Sequence, residues 1–388
     1  MADIKVCISV KGRFHAFYLA QQLYKRGMLG QLITTYPGFE VEKYGIPRQV
    51  TSSLTVHEIA SRAFFRATAG GTRCWDPAYF LNGRFDRAAS HRIRRGAGLF
   101  IGWSGSALES MRRAKDLGAI TVVERGSSHI GYQSAILDEE YKKYGLAPKK
   151  TDSRVIEQEL QEYGLADYIS VLSTFARDTF IKNGISADKI ITESLGVDPA
   201  EFTPAKKQDT VFRIIFCGVI ALRKGVQYLL QAFDELRLPR AELWLIGSLD
   251  QTMSPVLDKY RRENIILKGS VPQARLPGLY SQGSVFCLPS IEDGFGMVIP
   301  QAMACALPAI CSVNTGAPDL IRDGVDGFII PIRDVGRLKE KILFMYENQE
   351  LAAAMGREAH ARVREHFTWD AYGARIAAQY ARVRGAAA

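Results

Sequence analysis

The sequence predicts an α/β protein built from two doubly wound parallel-sheet domains that face one another across a cleft. Three observations lead there. At 388 residues the chain is too long for one ordinary hydrophobic core. Short apolar runs alternate with helical patterns of ten or more residues along nearly its whole length, which is how a parallel sheet with helical crossovers reads. The alternation breaks once, at 199–209, where Pro199, Pro204 and a polar run mark a linker.

In the first part the strand candidates are 4–10, 31–36, 99–103, 120–124, 168–172 and 189–193. In the second they are 212–217, 243–247, 265–268, 285–288, 309–312 and 328–330. Each set makes one Rossmann-like unit, 1–198 and 210–368, and such units bind ligands at the carboxyl ends of their strands. The last pattern, 369–388, places Trp369, Tyr372, Ile376, Tyr380 and Val383 on one helical face. That face either completes the second core or crosses back to the first domain.

Composition narrows the class. With 47% apolar and 23% charged residues the chain is an ordinary globular one, without low-complexity tracts. Its start lacks a basic region followed by a long apolar run, and Lys11 closes the only candidate, so neither a leader nor a spanning helix is expected. The six cysteines form no C-x-x-C pair and lie mostly in apolar runs. They read as reduced core thiols in a cytoplasmic protein, with no metal site. The net charge of +9 is concentrated: between Arg62 and Arg95, eight arginines (among them Arg62, Arg66, Arg92, Arg94 and Arg95) stand against two aspartates, a net +6. Such a segment suits phosphate or an anionic membrane surface, or is simply solvated. Nucleic acid is not indicated, because no helix-turn-helix, zinc or aromatic-platform pattern accompanies the charge.

Four loops carry candidate chemistry. After the first strand, Lys11-Gly12-Arg13-Phe14-His15 runs into a helix; by itself this is a tight turn, in principle also a phosphate or sugar cradle. After 120–124 comes the polar cluster Glu124-Arg125-Gly126-Ser127-Ser128-His129, costly at a buried edge unless paired or used; Glu124 pairing with Arg125 or His129 is the plainer reading. In the second domain, Gly218 opens a loop that ends Arg223-Lys224-Gly225 before the helix 226–236, two cations suited to a diphosphate. The fourth stretch, 290–331, sets Glu292 and Asp293 between a buried strand and a helix expected at 297–306. Gly294 and Gly296 let the backbone approach a ligand, and the first helical turn offers amides to an anion.

The fourth stretch resembles the retaining nucleotide-sugar glycosyltransferases of the GT-B fold, family 4 (glycosyl transferases group 1) type. Their hallmark is an acid before Gly-Phe-Gly and, after seven intervening residues, a Glu opening E-A-M-A-x-G-x-P. Here the acid is Asp293, Gly294-Phe295-Gly296 is intact, Gln301 replaces the second acid and Ala306 replaces the Gly. The family's Arg and Lys beside the diphosphate map onto Arg223 and Lys224, with Val219 where the Arg usually stands.

The resemblance implies a metal-independent transfer with retention of configuration, from a nucleoside diphosphate sugar to a glycan or lipid-linked acceptor in surface polysaccharide synthesis. Arg223, Lys224 and the amides after Gly294 would stabilise the leaving diphosphate. Glu292 or Asp293 would hold sugar hydroxyls, and the leaving phosphate would help remove the acceptor proton. Gly12, Arg13, Phe295, Met297 and Val298 would line the donor site. Gln301 would meet the ribose, with one acceptor fewer than Glu. A His near Glu124 commonly touches the donor sugar in the family, which makes Glu124 and His129 candidates. No cofactor is implied, and the location would be cytoplasmic, at most peripheral on the inner membrane face. The alternatives are a sugar-nucleotide epimerase of the same fold and an inactive nucleotide-sugar binder.

Overall fold

The computed structural model describes residues 4–56, 58–59, 78–147 and 151–387. Arg62, Arg66, Phe64, Phe65 and Cys74 lie outside them. Among the described residues there are two all-parallel sheets. The first has strands β1 Val6–Val10, β2 Leu29–Thr34, β3 Thr51–Ser53, β4 Leu99–Trp103, β5 Ile120–Arg125, β6 Tyr168–Val171 and β7 Ile190–Thr192, in the order β3-β2-β1-β4-β5-β6-β7. The second has β8 Phe212–Cys217, β9 Ala241–Ile246, β10 Ile265–Gly269, β11 Val285–Leu288, β12 Ala309–Ser312 and β13 Gly327–Ile330, in the order β10-β9-β8-β11-β12-β13.

Helices cover both faces of each sheet, so central strands read as unbroken apolar runs rather than alternating ones. Every residue of β1 and of β8 is buried. Arg213 is the charged member of β8, and its guanidinium is held by Asp209 at 2.6 and 2.9 Å and by Glu242 at 2.8 Å. β3, Thr-Ser-Ser, is the strand that periodicity did not announce; it is polar and half-buried because it lies on an edge. The five described cysteines are free and buried.

The helix Trp369–Ala387 lies against the first domain. Trp369 stacks on Tyr18 with ring centroids 4.0 Å apart and planes 3° from parallel. Arg375 donates to Glu193 at 2.9 Å, and Arg26 to the Asp370 carbonyl at 2.9 Å. A Cβ on Gly373 would overlap Gln22, so the close approach needs glycine there. Across the cleft the domains are tied through Glu140, a fully buried carboxylate that accepts from Gln227 at 2.9 Å, Tyr228 at 2.7 Å and Arg333 at 2.7 Å. Among the described residues no helix is long and apolar enough to cross a membrane.

Candidate functional site

Both sheets reverse their strand order once, between β1 and β4 and between β8 and β11. The carboxyl ends of strands at such points are where open α/β sheets bind ligands. Here the two points face each other across a cleft of about 890 Å³. Its first-domain wall holds Lys11 and Arg13 to His15 after β1, Trp103 and Ser104 at the end of β4, and Arg125 to Ser127 at the end of β5. Its second-domain wall holds Asp293, Phe295 to Met297 and Gln301.

The two neighbouring acids of the second domain have different environments. Asp293 lines the cleft and pairs with the Lys224 ammonium. Glu292 is fully buried behind it. Its Oε1 accepts from the Ser128 amide at 3.0 Å and hydroxyl at 2.7 Å, and its Oε2 from Gln133 at 2.9 Å and the Arg223 Nε at 2.7 Å. Burial works against the charge, but the Arg223 guanidinium and the bonds from Gln133 and Ser128 outweigh it and hold the carboxyl down at about 2. Of the two acids expected at the sugar, the structure brings Asp293 to the cleft, whereas Glu292 fastens one domain to the other.

Arg223 is committed likewise, to Glu292 and to the Ser127 hydroxyl at 3.1 Å, and neither it nor Lys224 forms part of the cleft wall itself. Gly218 has φ +145° and packs against the loop at Gly247, where a Cβ would overlap the Gly218 carbonyl. Gly225, φ +69°, passes so close to the Pro289 carbonyl that no side chain fits. Gly294 faces the other domain rather than a ligand: a Cβ there would overlap the Gly126 carbonyl oxygen and Ser127 Cα. Gly296, φ +77°, starts the turn into the helix Val298–Ala304, shorter than the 297–306 expected because Ala306 is left-handed at φ +57°. Val298 is half-buried on that helix, outside the cleft wall.

Gln301, 8% exposed, lines the cleft, and its Oε1 has no hydrogen-bond partner among the described residues. A buried acceptor left unmade costs about 1–3 kcal/mol, which a ligand donor would recover.

In the first domain, Arg13 lines the cleft and donates to the Tyr44 hydroxyl at 3.2 Å; Gly12, φ +114°, makes the turn beneath it. Glu124 does not pair with Arg125 or His129. It meets His15, Nε2 to Oε1 3.0 Å, while Arg125 turns to Glu159 at 2.9 Å and Gln133 at 3.0 Å. His129 is not brought to the cleft. It is 5% exposed against Tyr163 and Phe180, and its Nδ1 caps its own helix by accepting from the Gly131 amide. Burial, with the Arg125 charge, pulls its pKa down to about 4, so it stays neutral. The donor-sugar role for which His129 was a candidate is thus corrected: the histidine in the cleft is His15, 109 positions from Glu124 in sequence but adjacent to it in space. Arg92, Arg94 and Arg95 are exposed, and Arg94 also donates to the Gln49 carbonyl at 3.2 Å.

Residues 198–362 match the model of the family described as glycosyl transferases group 1. The match covers 165 of the 388 residues, most of the second domain. Relatives include the O-antigen chain mannosyltransferase B of Escherichia coli, 29% identical over 56% of this chain and 61% of that protein. Another is the GDP-mannose-dependent alpha-(1-6)-phosphatidylinositol monomannoside mannosyltransferase of Mycolicibacterium smegmatis, 24% identical over 55% of this chain and 61% of that one. The chain thus spans about six tenths of the length of these curated relatives. Among solved structures, sucrose-phosphate synthase from Thermosynechococcus elongatus superposes with a TM-score of 0.71 over 99% of this chain and all of that one, at 17% identity. HepE from Anabaena, in complex with UDP and glucose, gives 0.69 over 97% and 99%, at 14%. At such identities the likeness shows the fold, which is that of the GT-B glycosyltransferases.

Within the matched residues, the departures from the family pattern fall at identifiable places. Val219 is 47% exposed and free of the cleft, so its loss of a guanidinium leaves no buried gap. Gln301 faces the cleft and carries the unmade acceptor. Ala306 holds a conformation that suits glycine. Sequence reasoning named His15 and Ser128 only as members of candidate loops, without singling them out, and missed Gln133. The first had a signal, a histidine at a helix start where Ser, Thr, Asp or Asn would cap; the other two become visible only when the domains meet.

Proposed function

We propose that this protein transfers a sugar from a nucleoside diphosphate sugar to a glycan or lipid-linked glycan, with retention and without a metal, in making a surface polysaccharide or glycolipid. The observation that carries the reading is the Gln301 Oε1, unpartnered among the described residues, in a cleft also lined by Asp293, at the switch points of two facing sheets. The group 1 match and relatives named for O-antigen and phosphatidylinositol mannoside synthesis support the substrate class.

In this reading the donor's ribose meets Gln301 and its sugar meets Asp293. Breaking the bond from the anomeric carbon to phosphate places negative charge on the diphosphate and positive character on the ring. Lys224 and Arg223, behind the cleft wall, favour the first through their charge, Asp293 the second, and preorganised charge of this kind lowers the barrier because it need not reorganise. The exposed Arg92, Arg94 and Arg95 are assigned to an anionic membrane surface near the acceptor. Reversing them to Glu should reduce co-sedimentation with phosphatidylserine vesicles, and undiminished binding removes the membrane assignment.

Calorimetric titration with UDP, GDP and ADP and their common sugars tests the core of the proposal. One nucleotide should bind at micromolar Kd. Lys224→Ala should weaken it, since the variant removes a positive charge behind the cleft wall and leaves Asp293 without its partner. Binding by none of them overturns the reading.

A further inference from the structure

The cleft continues past Asp293 to the linker, where Asp198, Glu201, Gln273 and Ala274 line it together with the rings of Tyr18, Tyr44 and Trp369. Tyr18 stacks on Trp369, meets Tyr44 edge-on with centroids 5.3 Å apart, and lies within reach of the Glu201 and Asp198 charges, so these groups share one end. The strand order says which end it is. Asp293 follows β11, whereas Gln273 follows β10, three strands away in the order β10-β9-β8-β11. At about 4.8 Å per strand the two strand ends lie roughly 14 Å apart, a span that a nucleoside diphosphate covers from phosphate to base. That a ligand lies along this path is indicated independently by Gln301, 8% exposed on the cleft wall, whose Oε1 has no partner among the described residues. A donor whose phosphates approach the turn at Gly296 and whose ribose meets Gln301 therefore brings its base to Glu201 and Gln273.

What this end offers a base is acceptors. Glu201 Oε1 and Oε2 both accept from the Gln273 side-chain Nε2, at 2.9 and 3.2 Å, and Asp198 Oδ1 accepts from the Ala200 amide at 2.9 Å. Arg13, which also lines the cleft, donates to the Tyr44 hydroxyl at 3.2 Å. An ionised carboxylate has about four acceptor positions, so Glu201 keeps room for a ligand's donors while Gln273 holds it in place. Guanine presents two adjacent donors, N1–H and the N2 amine, at the spacing of the two oxygens of a carboxylate. Uracil sets a carbonyl on either side of its one N–H, and adenine sets a ring acceptor beside its amine, so each would point a lone pair at the carboxylate. We propose that Glu201 reads the base of the donor and selects a guanosine diphosphate sugar. The proposal rests on the transferase reading and deepens it by naming the nucleotide. Gln273 acts through Glu201, as a positioning residue.

The test titrates wild type, Glu201→Gln and Glu201→Ala with GDP, IDP, UDP and ADP, with the melting temperature measured on each protein. IDP carries hypoxanthine, which is guanine without the N2 amine. Wild type should bind GDP about 10–100-fold more tightly than UDP or ADP, the discrimination of a good bidentate pair, with IDP in between. In Glu201→Gln one acceptor oxygen becomes a donor, so the difference between GDP and IDP should shrink to about twofold or less while UDP affinity stays within about threefold of wild type. Glu201→Ala should lose the same discrimination. A glutamate that only braces the loop at Gln273 would instead weaken all four nucleotides together and leave their ratios unchanged. That result overturns the inference, as does a wild type that binds UDP or ADP as tightly as GDP, and either leaves the transferase reading standing. A wild type that binds none of the four overturns both.

Discussion

Ser128 of the first domain donates both its amide and its hydroxyl to Glu292 Oε1 of the second, at 3.0 and 2.7 Å, across 164 positions of sequence. A fully buried carboxylate is tolerable here because four bonds from Ser128, Gln133 and Arg223 replace the water it loses. The group that sequence placed at the sugar is thereby a fastener between domains, and it ties their relative placement to its ionisation.

That ionisation has a calculable consequence. The carboxyl is held down at about 2 from an ordinary value of 4.5. A depressed acid contributes stability that is full above its unfolded value and is lost as pH falls toward its folded one, so the window runs from about pH 4.5 to about pH 2. At roughly 1.4 kcal/mol per unit the contribution at neutral pH is about 3 kcal/mol. Urea melts of Glu292→Gln should show that loss at pH 7 and a flatter dependence below pH 4.5. Equal stability of the two proteins at pH 7 would remove the role.

Gly294 governs the same contact by sterics. A methyl there overlaps the Gly126 carbonyl oxygen and Ser127 Cα, backbone atoms that cannot step aside. Gly294→Ala should therefore move the domains apart, costing about 1–3 kcal/mol as overpacking does. Small-angle scattering should report a larger radius of gyration and turnover should fall, with nucleotide affinity retained by the second domain. An unchanged radius with full turnover contradicts the assignment.

How much of this could be read from the chain follows from what each feature depends on. The strand cores were legible because burial on both faces writes continuous apolar runs; β4, β8, β11 and β12 begin and end where the pattern does. β3 was not, since an edge strand of Thr-Ser-Ser carries no such pattern. Asp293 and Gln301 were legible as a motif on one turn and one helix. The partition of work between Glu292 and Asp293 was not, because it is decided by Ser128 and Gln133 from the other domain. His129 misled because a histidine near a strand end satisfies the pattern wherever its ring points, and this ring points into the core.

Ala306 offers a prediction about stability alone. Its φ of +57° is strained for an alanine and free for a glycine. Ala306→Gly relieves the strain but adds freedom to the unfolded chain, so the net gain should be modest, about 0.5–1 kcal/mol. Denaturant midpoints of the isolated pair of proteins check it, and a loss of stability would show that the alanine methyl contributes more than its backbone costs.

Gln301 supplies the last prediction, and it bears on the ligand. Its Oε1 is buried on a residue that lines the cleft and has no partner among the described residues, which is the state expected of an acceptor waiting for a hydroxyl. An amide offers one acceptor atom; a carboxylate offers two and carries charge, and bonds to charged groups run about 1.5–3 kcal/mol against 0.5–1.5 for neutral ones. Gln301→Glu should therefore bind the cognate nucleoside diphosphate about 3–10-fold more tightly at pH 7.5. Because the gain belongs to the ionised form, it should fade as pH falls into the ordinary glutamate range, about 4–5. Deoxyribose versions of the nucleotide should show no such gain, since they lack a hydroxyl that the new carboxylate would accept from. If Gln301→Glu and Gln301→Ala both leave affinity for the ribonucleotide untouched, the residue does not meet the ribose, and the orphaned acceptor must be answered by another part of the ligand.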